Sequence, residues 1–135
     1  MNAVDTNVLI YARDPRDPRK QQIAQDYIAM LQDGVLLWQV ACEYIAASRK
    51  LEKLGYDSQQ AWLDLGDLRR LWQPVAPTWA VMLRAESLLA QYKLSFWDAM
   101  VVAACLEAGV THLYSEDFDN SAAATGVRVI NPFVI

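Results

Sequence analysis

The sequence predicts an α/β fold: a single domain over residues 1–135, built on a mostly parallel central sheet flanked by helices. Three observations carry this expectation. Short apolar runs with strand character alternate with longer stretches of helical periodicity, in the order strand, helix, strand, helices, strand, helices, strand, strand. A length of 135 residues suits one core. Hydrophobic residues make up 54% of the chain, ample for burial and far from the composition of disordered segments.

"AV" before Asp5 is a very short strand, and "NVLIYA" after it reads as helix. "RDPRDP" breaks the pattern, because each proline disfavours helix in the residue before it. A helix from about Arg19 carries Ile23, Tyr27, Ile28 and Leu31 at helical spacing, with Gly34 placed to end it. Val35–Trp38 reads as a buried strand. From Val40 to Leu54 the positions Val40, Ala41, Tyr44, Ile45, Ala47, Ser48 and Leu51 share one helical face, closed by Gly55. Asp57 and Gln60 form a capping box for a helix through Trp62, Leu65, Leu68 and Trp72. "QPVAP" is a short extended piece. Helices follow over about Pro77–Tyr92 and Ser95–Gly109, then a strand "THLYS", a polar loop and a last strand "VRVINPFVI".

Composition narrows the function. No apolar stretch approaches the roughly 20 residues of a membrane span, and no basic segment leads into a signal-peptide core. A cytoplasmic protein without a membrane partner is therefore expected. Cys42 and Cys105 lie in helical sequence without partners at metal spacing, which predicts two buried thiols rather than a disulfide or zinc site. A net charge of −4 argues against binding nucleic acid through bulk positive charge, though not against a local basic patch.

In parallel sheets ligands sit beyond the carboxyl ends of the strands, so chemistry is sought just after each strand. Asp5 stands directly after the first strand, where it has two readings, helix N-cap or functional carboxylate. Glu43 falls beside the apolar stripe of its helix rather than opposite it, as for a carboxylate facing a polar hollow. Asp98 forms a capping box with Ser95 at the opening of "AMVVAACLEAG", a role compatible with metal binding. Asp117, with Glu116 and Asp119, lies in the "LYSEDFDN" loop, where acids commonly serve solubility alone. Two carboxylates about 4 Å apart repel by roughly 4 kcal/mol at an effective dielectric near 20. Bringing four together therefore implies a cation, and oxygen donors without His or Cys favour magnesium, or manganese, over zinc. Such a site hydrolyses phosphodiesters by lowering the pKa of a bound water.

"VDTNVLIYA", the Glu in "QVACEYIAAS", "SFWDAMVVAACLEAG", and "LYSEDFDN" followed by "GVRVINPF" together resemble the four ordered motifs of the PIN-domain ribonucleases. The resemblance is nearest to the VapC-type toxins of bacterial toxin–antitoxin pairs and spans Asp5 to Pro132. It implies that Asp5, Glu43, Asp98 and Asp117 form an acidic quartet holding one or two divalent metals, Asp5 and Asp98 most directly. Asn7 and Ser115 match positions that support the carboxylates by hydrogen bonding. The implied activity is metal-dependent cleavage of RNA that leaves a 3′ hydroxyl and a 5′ phosphate. The implied partners are RNA, a cognate antitoxin and a second copy of the chain. Two departures are a short first strand, with four residues before Asp5, and the loop "FDNSAAATG", which puts a supporting role for Asp119 in question.

RNA also calls for cations near the acids. "RDPRDPRK" and "SRKLEK" supply them, and Arg13 and Arg16, near the first acidic motif, are the expected RNA contacts. Trp62–Trp72 holds more apolar residues than one stripe uses; core packing explains most of them and the remainder leaves apolar surface for a partner, which the family resemblance implies is the antitoxin. Trp97 is read as core, and His112 has no nucleophile partner and no catalytic role.

Three rival functions are considered. An aspartyl-nucleophile phosphatase needs a second Asp two residues after the first, and Asn7 stands there. A non-catalytic RNA- or protein-binding scaffold sits poorly with an intact quartet. An RNA-processing nuclease without an antitoxin shares the site and differs in biology.

Overall fold

The strands in the computed structural model, which describes residues 1–118 and 125–134, are β1 (Asn2–Val4), β2 (Gly34–Leu37), β3 (Gln73–Val75), β4 (His112–Tyr114) and β5 (Arg128–Ile130). They form one sheet in the order β3-β2-β1-β4-β5, with every pairing parallel. Ala3 lies opposite both Val35 and Leu113, and Leu113 opposite Val129, so the registers align the strand ends. Successive strands move outward from β1 in one direction to β2 and β3, then resume on its other side at β4. The carboxyl end of β1 is thus the point where the strand order reverses, the usual ligand crevice of such sheets.

The helices are α1 (Thr6–Tyr11), α2 (Pro18–Met30), α3 (Trp38–Ser48), α4 (Ser58–Leu71), α5 (Trp79–Gln91) and α6 (Phe96–Ala108). Asp17 caps α2, accepting a hydrogen bond from the Lys20 amide, and Pro18 takes the first helical position, where its missing N–H has no partner to lose. Asp57 caps α4 by accepting the Gln60 amide, the first half of the expected capping box, while the Gln60 side chain donates forward to Asp64 at 2.9 Å. Helix α6 buries Ala99, Val101, Val102, Ala103 and Cys105. That burial exceeds one stripe and makes it a core helix rather than an amphipathic surface one. It ends at Gly109, whose φ of +76° is a left-handed conformation that residues with a Cβ resist.

Several expectations need correction. Trp38 is not the end of a strand; it opens α3, which starts two residues earlier than the periodicity suggests and gives way at Arg49–Leu54 to a 3-10 segment. Gly34 does not end α2. It is the first residue of β2, and a Cβ there would run into the ring of Trp72, which is 4% exposed. The glycine therefore serves close packing rather than a helix stop. The last strand is limited to Arg128–Ile130. Cys42 is exposed, on the outer face of α3, while Cys105 is buried as expected. Trp97 is 63% exposed and lies edge-on to Phe96, so it is not core. Among the described residues no helix is long and apolar enough to cross a membrane.

Candidate active site

Asp5 leaves β1 in extended backbone and caps α1: its Oδ1 accepts the Thr6 amide at 2.8 Å. Its own amide donates to the Tyr114 carbonyl at 2.8 Å, which ties the end of β1 to the end of β4. The other carboxylate oxygen, Oδ2, accepts the hydroxyl of Ser115 at 2.8 Å. The cap reading of Asp5 is met, and the capped carboxylate stands at the strand-order reversal.

Ser115 follows β4, is 2% exposed, and organises the loop after it. Its Oγ accepts from Asn7 Nδ2 at 3.2 Å and from the Asp117 amide at 3.4 Å while donating to Asp5. Asn7, one residue into α1, also donates to Asp117 Oδ2 at 3.4 Å and accepts the Glu116 amide at 3.3 Å. The loop is held from its other side by Glu116, which accepts from Lys20 Nζ at 2.6 Å and from the Tyr11 hydroxyl at 2.9 Å.

Glu43 projects from the middle of α3 and accepts from Gln39 Nε2 at 3.1 Å, an i,i+4 pair on one helix face. The same Gln39 amide donates to the Trp97 carbonyl at 3.3 Å, linking α3 to the start of α6. There the Ser95 hydroxyl accepts the Asp98 amide at 3.2 Å, which places the Asp98 carboxylate in the first helical turn.

These elements deliver Asp5, Asn7, Glu43, Asp98 and Asp117 to one open cleft of about 520 Å³, whose walls also include Thr6, Tyr11, Asp14, Arg16 and Phe118. The carboxylates feel one another. Burial pushes the Asp5 carboxyl above the usual carboxylate range, with Asp98 and Asp117 adding to the rise and the bonds from Ser115 and Thr6 opposing it. Burial likewise raises Glu43, reinforced by Asp5 and Asp98. Asp98 is raised by burial and by Asp117.

The donor set suits a hard divalent cation, being carboxylate oxygen with no His or Cys in the cleft walls. As they stand, no three His, Cys, Asp or Glu side chains among the described residues close on one point as a preformed metal cage. Carboxylates that share a cleft repel one another, and the raised pKa values of Asp5, Glu43 and Asp98 include that repulsion. The same repulsion is what a bound cation would relieve.

The other expected positions divide. Arg16 lines the cleft, whereas Arg13 turns away from it, pairing with Asp64 at 3.3 Å and lying over the Tyr56 ring at 5.7 Å. Asp119 lies outside the described residues. Sequence reasoning missed Thr6, Tyr11, Asp14, Gln39 and Phe118. Gln39 was detectable from its four-residue spacing to Glu43, and Asp14 from its place beside Arg16. Tyr11 and Phe118 carry no chemical signature that separates them from core aromatics.

Trp62 is 61% exposed beside a groove of about 670 Å³ lined also by Trp38, Ile45, Leu65 and Arg69, while Trp72 at the far end of the same stretch is buried.

A family model described as the PIN domain matches residues 3–125. No curated protein matches the chain. Among solved structures, a toxin–antitoxin complex from Klebsiella pneumoniae contains a chain similar to this one at 18% identity and a TM-score of 0.73, with all of both chains covered. The sarcin–ricin loop cleaving toxin VapC20 of Mycobacterium tuberculosis is similar at 19% identity and a TM-score of 0.70, over 94% of this chain and 96% of that one. FitAB bound to an IR36 DNA fragment is similar at 18% identity and a TM-score of 0.70, over 100% of this chain and 97% of the other.

Proposed function

This chain belongs to the PIN-domain family, and from that premise we propose that it is a magnesium-dependent endoribonuclease, the VapC-like toxin of a toxin–antitoxin pair. The observation that carries the reading is the convergence of Asp5, Glu43, Asp98 and Asp117 on one cleft at the reversal of strand order. Two of the similar structures support the biology: one is a toxin–antitoxin complex and one a toxin that cleaves the sarcin–ricin loop.

The four carboxylates would hold one or two Mg2+ ions, with Mn2+ as the substitute. A divalent ion bound there supplies an activated water and charge compensation for an in-line displacement at phosphorus. The chain's own residues set the geometry. Ser115 and Thr6 aim the Asp5 oxygens, Asn7 and Ser115 hold Asp117, Gln39 orients Glu43, and the helix cap at Ser95 fixes Asp98. Each carboxylate thus keeps at least one oxygen committed to the protein's framework or lies in a fixed first turn. That preorganisation orients the carboxylates, and a bound cation would relieve their repulsion.

A protein partner is the second part of the reading. Exposed Trp62, Leu63 and Leu71 on α4 form apolar surface of the kind an antitoxin covers. A second copy of the chain would use other helices.

The test is cleavage of a mixed set of structured RNAs by the purified protein with Mg2+, with Mn2+ and with EDTA, beside Asp98→Asn. Cutting that needs metal and disappears in the variant establishes the nuclease. No cutting under any condition, with the fold intact by circular dichroism, favours a non-catalytic scaffold. An antitoxin gene beside the coding sequence separates the toxin from an RNA-processing nuclease.

A further inference from the structure

Arg16 is the one cationic side chain among the described residues that line the carboxylate cleft. An arginine there should collapse onto the carboxylates, because a flexible guanidinium beside several uncompensated acids gains charge-assisted hydrogen bonds by doing so. It does not. Its Nε donates to Asp14 Oδ1 at 2.9 Å and its Nη2 to Asp14 Oδ2 at 2.8 Å, a bidentate fork. The Arg16 amide also donates to Asp14 Oδ1, at 3.0 Å. Asp14 is 7% exposed, whereas the Arg16 side chain is 65% exposed.

The tether is short and stiff. Asp14 and Arg16 are separated only by Pro15, whose ring fixes φ, and the Asp14 amide is held by the Tyr11 carbonyl at 3.2 Å at the end of α1. The guanidinium carries five N–H groups; Asp14 engages two, leaving three free to donate. The three neighbouring cations of the same tract are committed elsewhere, Arg13 to Asp64, Arg19 to the Phe133 carbonyl and Lys20 to Glu116.

Resting on the ribonuclease reading, we infer that Asp14 is a positioning residue. It holds the Arg16 guanidinium off the metal-binding carboxylates and presents its free edge to a phosphate of the RNA strand flanking the scissile one. A buried carboxylate spent on an exposed arginine contributes little as a surface ion pair. As a preset phosphate fork it lowers the ordering cost of a planar bidentate contact. It also gives a net-acidic cleft a fixed point of attraction for a polyanion.

The experiment measures RNA cleavage with Mg2+ for wild type, Arg16→Ala, Arg16→Lys, Asp14→Asn and the double variant Asp14→Asn/Arg16→Ala. Salt-dependent RNA binding is measured alongside in the Asp98→Asn background. Arg16→Ala is expected to raise KM about tenfold with kcat nearly unchanged, and to flatten the salt slope by about 0.7 for a single strand. Arg16→Lys should keep the slope but recover only part of KM, because an ammonium cannot fork. Asp14→Asn should raise KM in the wild-type background and leave it unchanged in the Arg16→Ala background, since its effect passes through Arg16.

Unchanged KM and slope in Arg16→Ala, with wild type cutting normally, overturns the inference while the ribonuclease reading stands. An equal effect of Asp14→Asn with and without Arg16 overturns the positioning role, and melting curves show whether lost folding is the cause. If wild type neither binds nor cuts RNA with either metal, the ribonuclease reading fails and the inference falls with it.

Discussion

The hydroxyl of Ser115 donates to the Asp5 carboxylate at 2.8 Å, joining residues 110 positions apart at the ends of adjacent parallel strands. Through the same oxygen Ser115 accepts from Asn7 and from the Asp117 amide, so a single buried hydroxyl sets the relative placement of two acids. Ser115→Ala should therefore lower RNA cleavage by about 10- to 100-fold, the range seen when outer supports of metal ligands are removed. Leaving Asn7 and Asp5 short of a buried partner should also destabilise the fold by about 1–3 kcal/mol. Kinetics with saturating Mg2+ and urea unfolding check the two effects separately.

Asp5→Asn and Asp98→Asn keep the shape of each side chain while removing its charge. Each is expected to reduce cleavage by at least about 100-fold, the scale set by losing one preorganised electrostatic group, while circular dichroism stays that of the folded protein. Full activity in either purified variant would remove that residue from the site.

The carboxylates also predict a pH signature of stability in EDTA. The fold raises the Asp98 pKa through burial and through Asp117, so its protonated form is the one the native state favours. The stability linked to Asp98 is then fully present below the ordinary carboxylate pKa and is lost as pH rises through the raised native value. Asp98→Asn mimics the protonated state. It should melt above wild type at neutral pH, and the gap should close as pH falls into the carboxylate range. A gap that persists at low pH would show that the substitution acts by something other than charge.

Gly34→Ala tests a packing constraint away from the cleft. The added methyl meets the buried ring of Trp72. Overpacking of this kind costs about 1–3 kcal/mol, with kcat for RNA unchanged at temperatures where the variant is folded.

Much of this arrangement was legible from residues alone, because the features that reveal it are local. Asp5, Asp57 and Ser95 announce helix starts by capping chemistry, and the ordered acidic motifs announce the cleft. The errors have physical causes. Gly34 looks like a helix stop because glycine favours left-handed turns, but here its missing side chain admits the Trp72 ring, a contact between residues 38 positions apart. Trp38 and Trp97 look like core because tryptophan carries large apolar area, yet both lie exposed, at 57% and 63%. Arg13 and Arg16 are alike in sequence and differ in space because Asp64, on α4, captures one and Asp14 the other. The Arg16 partner is local, two residues away, whereas the Arg13 partner lies 51 positions on and no local pattern encodes it.

The measurement that tests the central claim most directly is the chemistry of the ends left on cut RNA. If the quartet works through metal-activated water, products carry a 5′ phosphate and a 3′ hydroxyl, appear only with Mg2+ or Mn2+, and vanish in Asp98→Asn. Products ending in 2′,3′-cyclic phosphate, formed equally in EDTA and by Asp98→Asn, would mean that the 2′ hydroxyl attacks without metal and that these four carboxylates do not cut RNA.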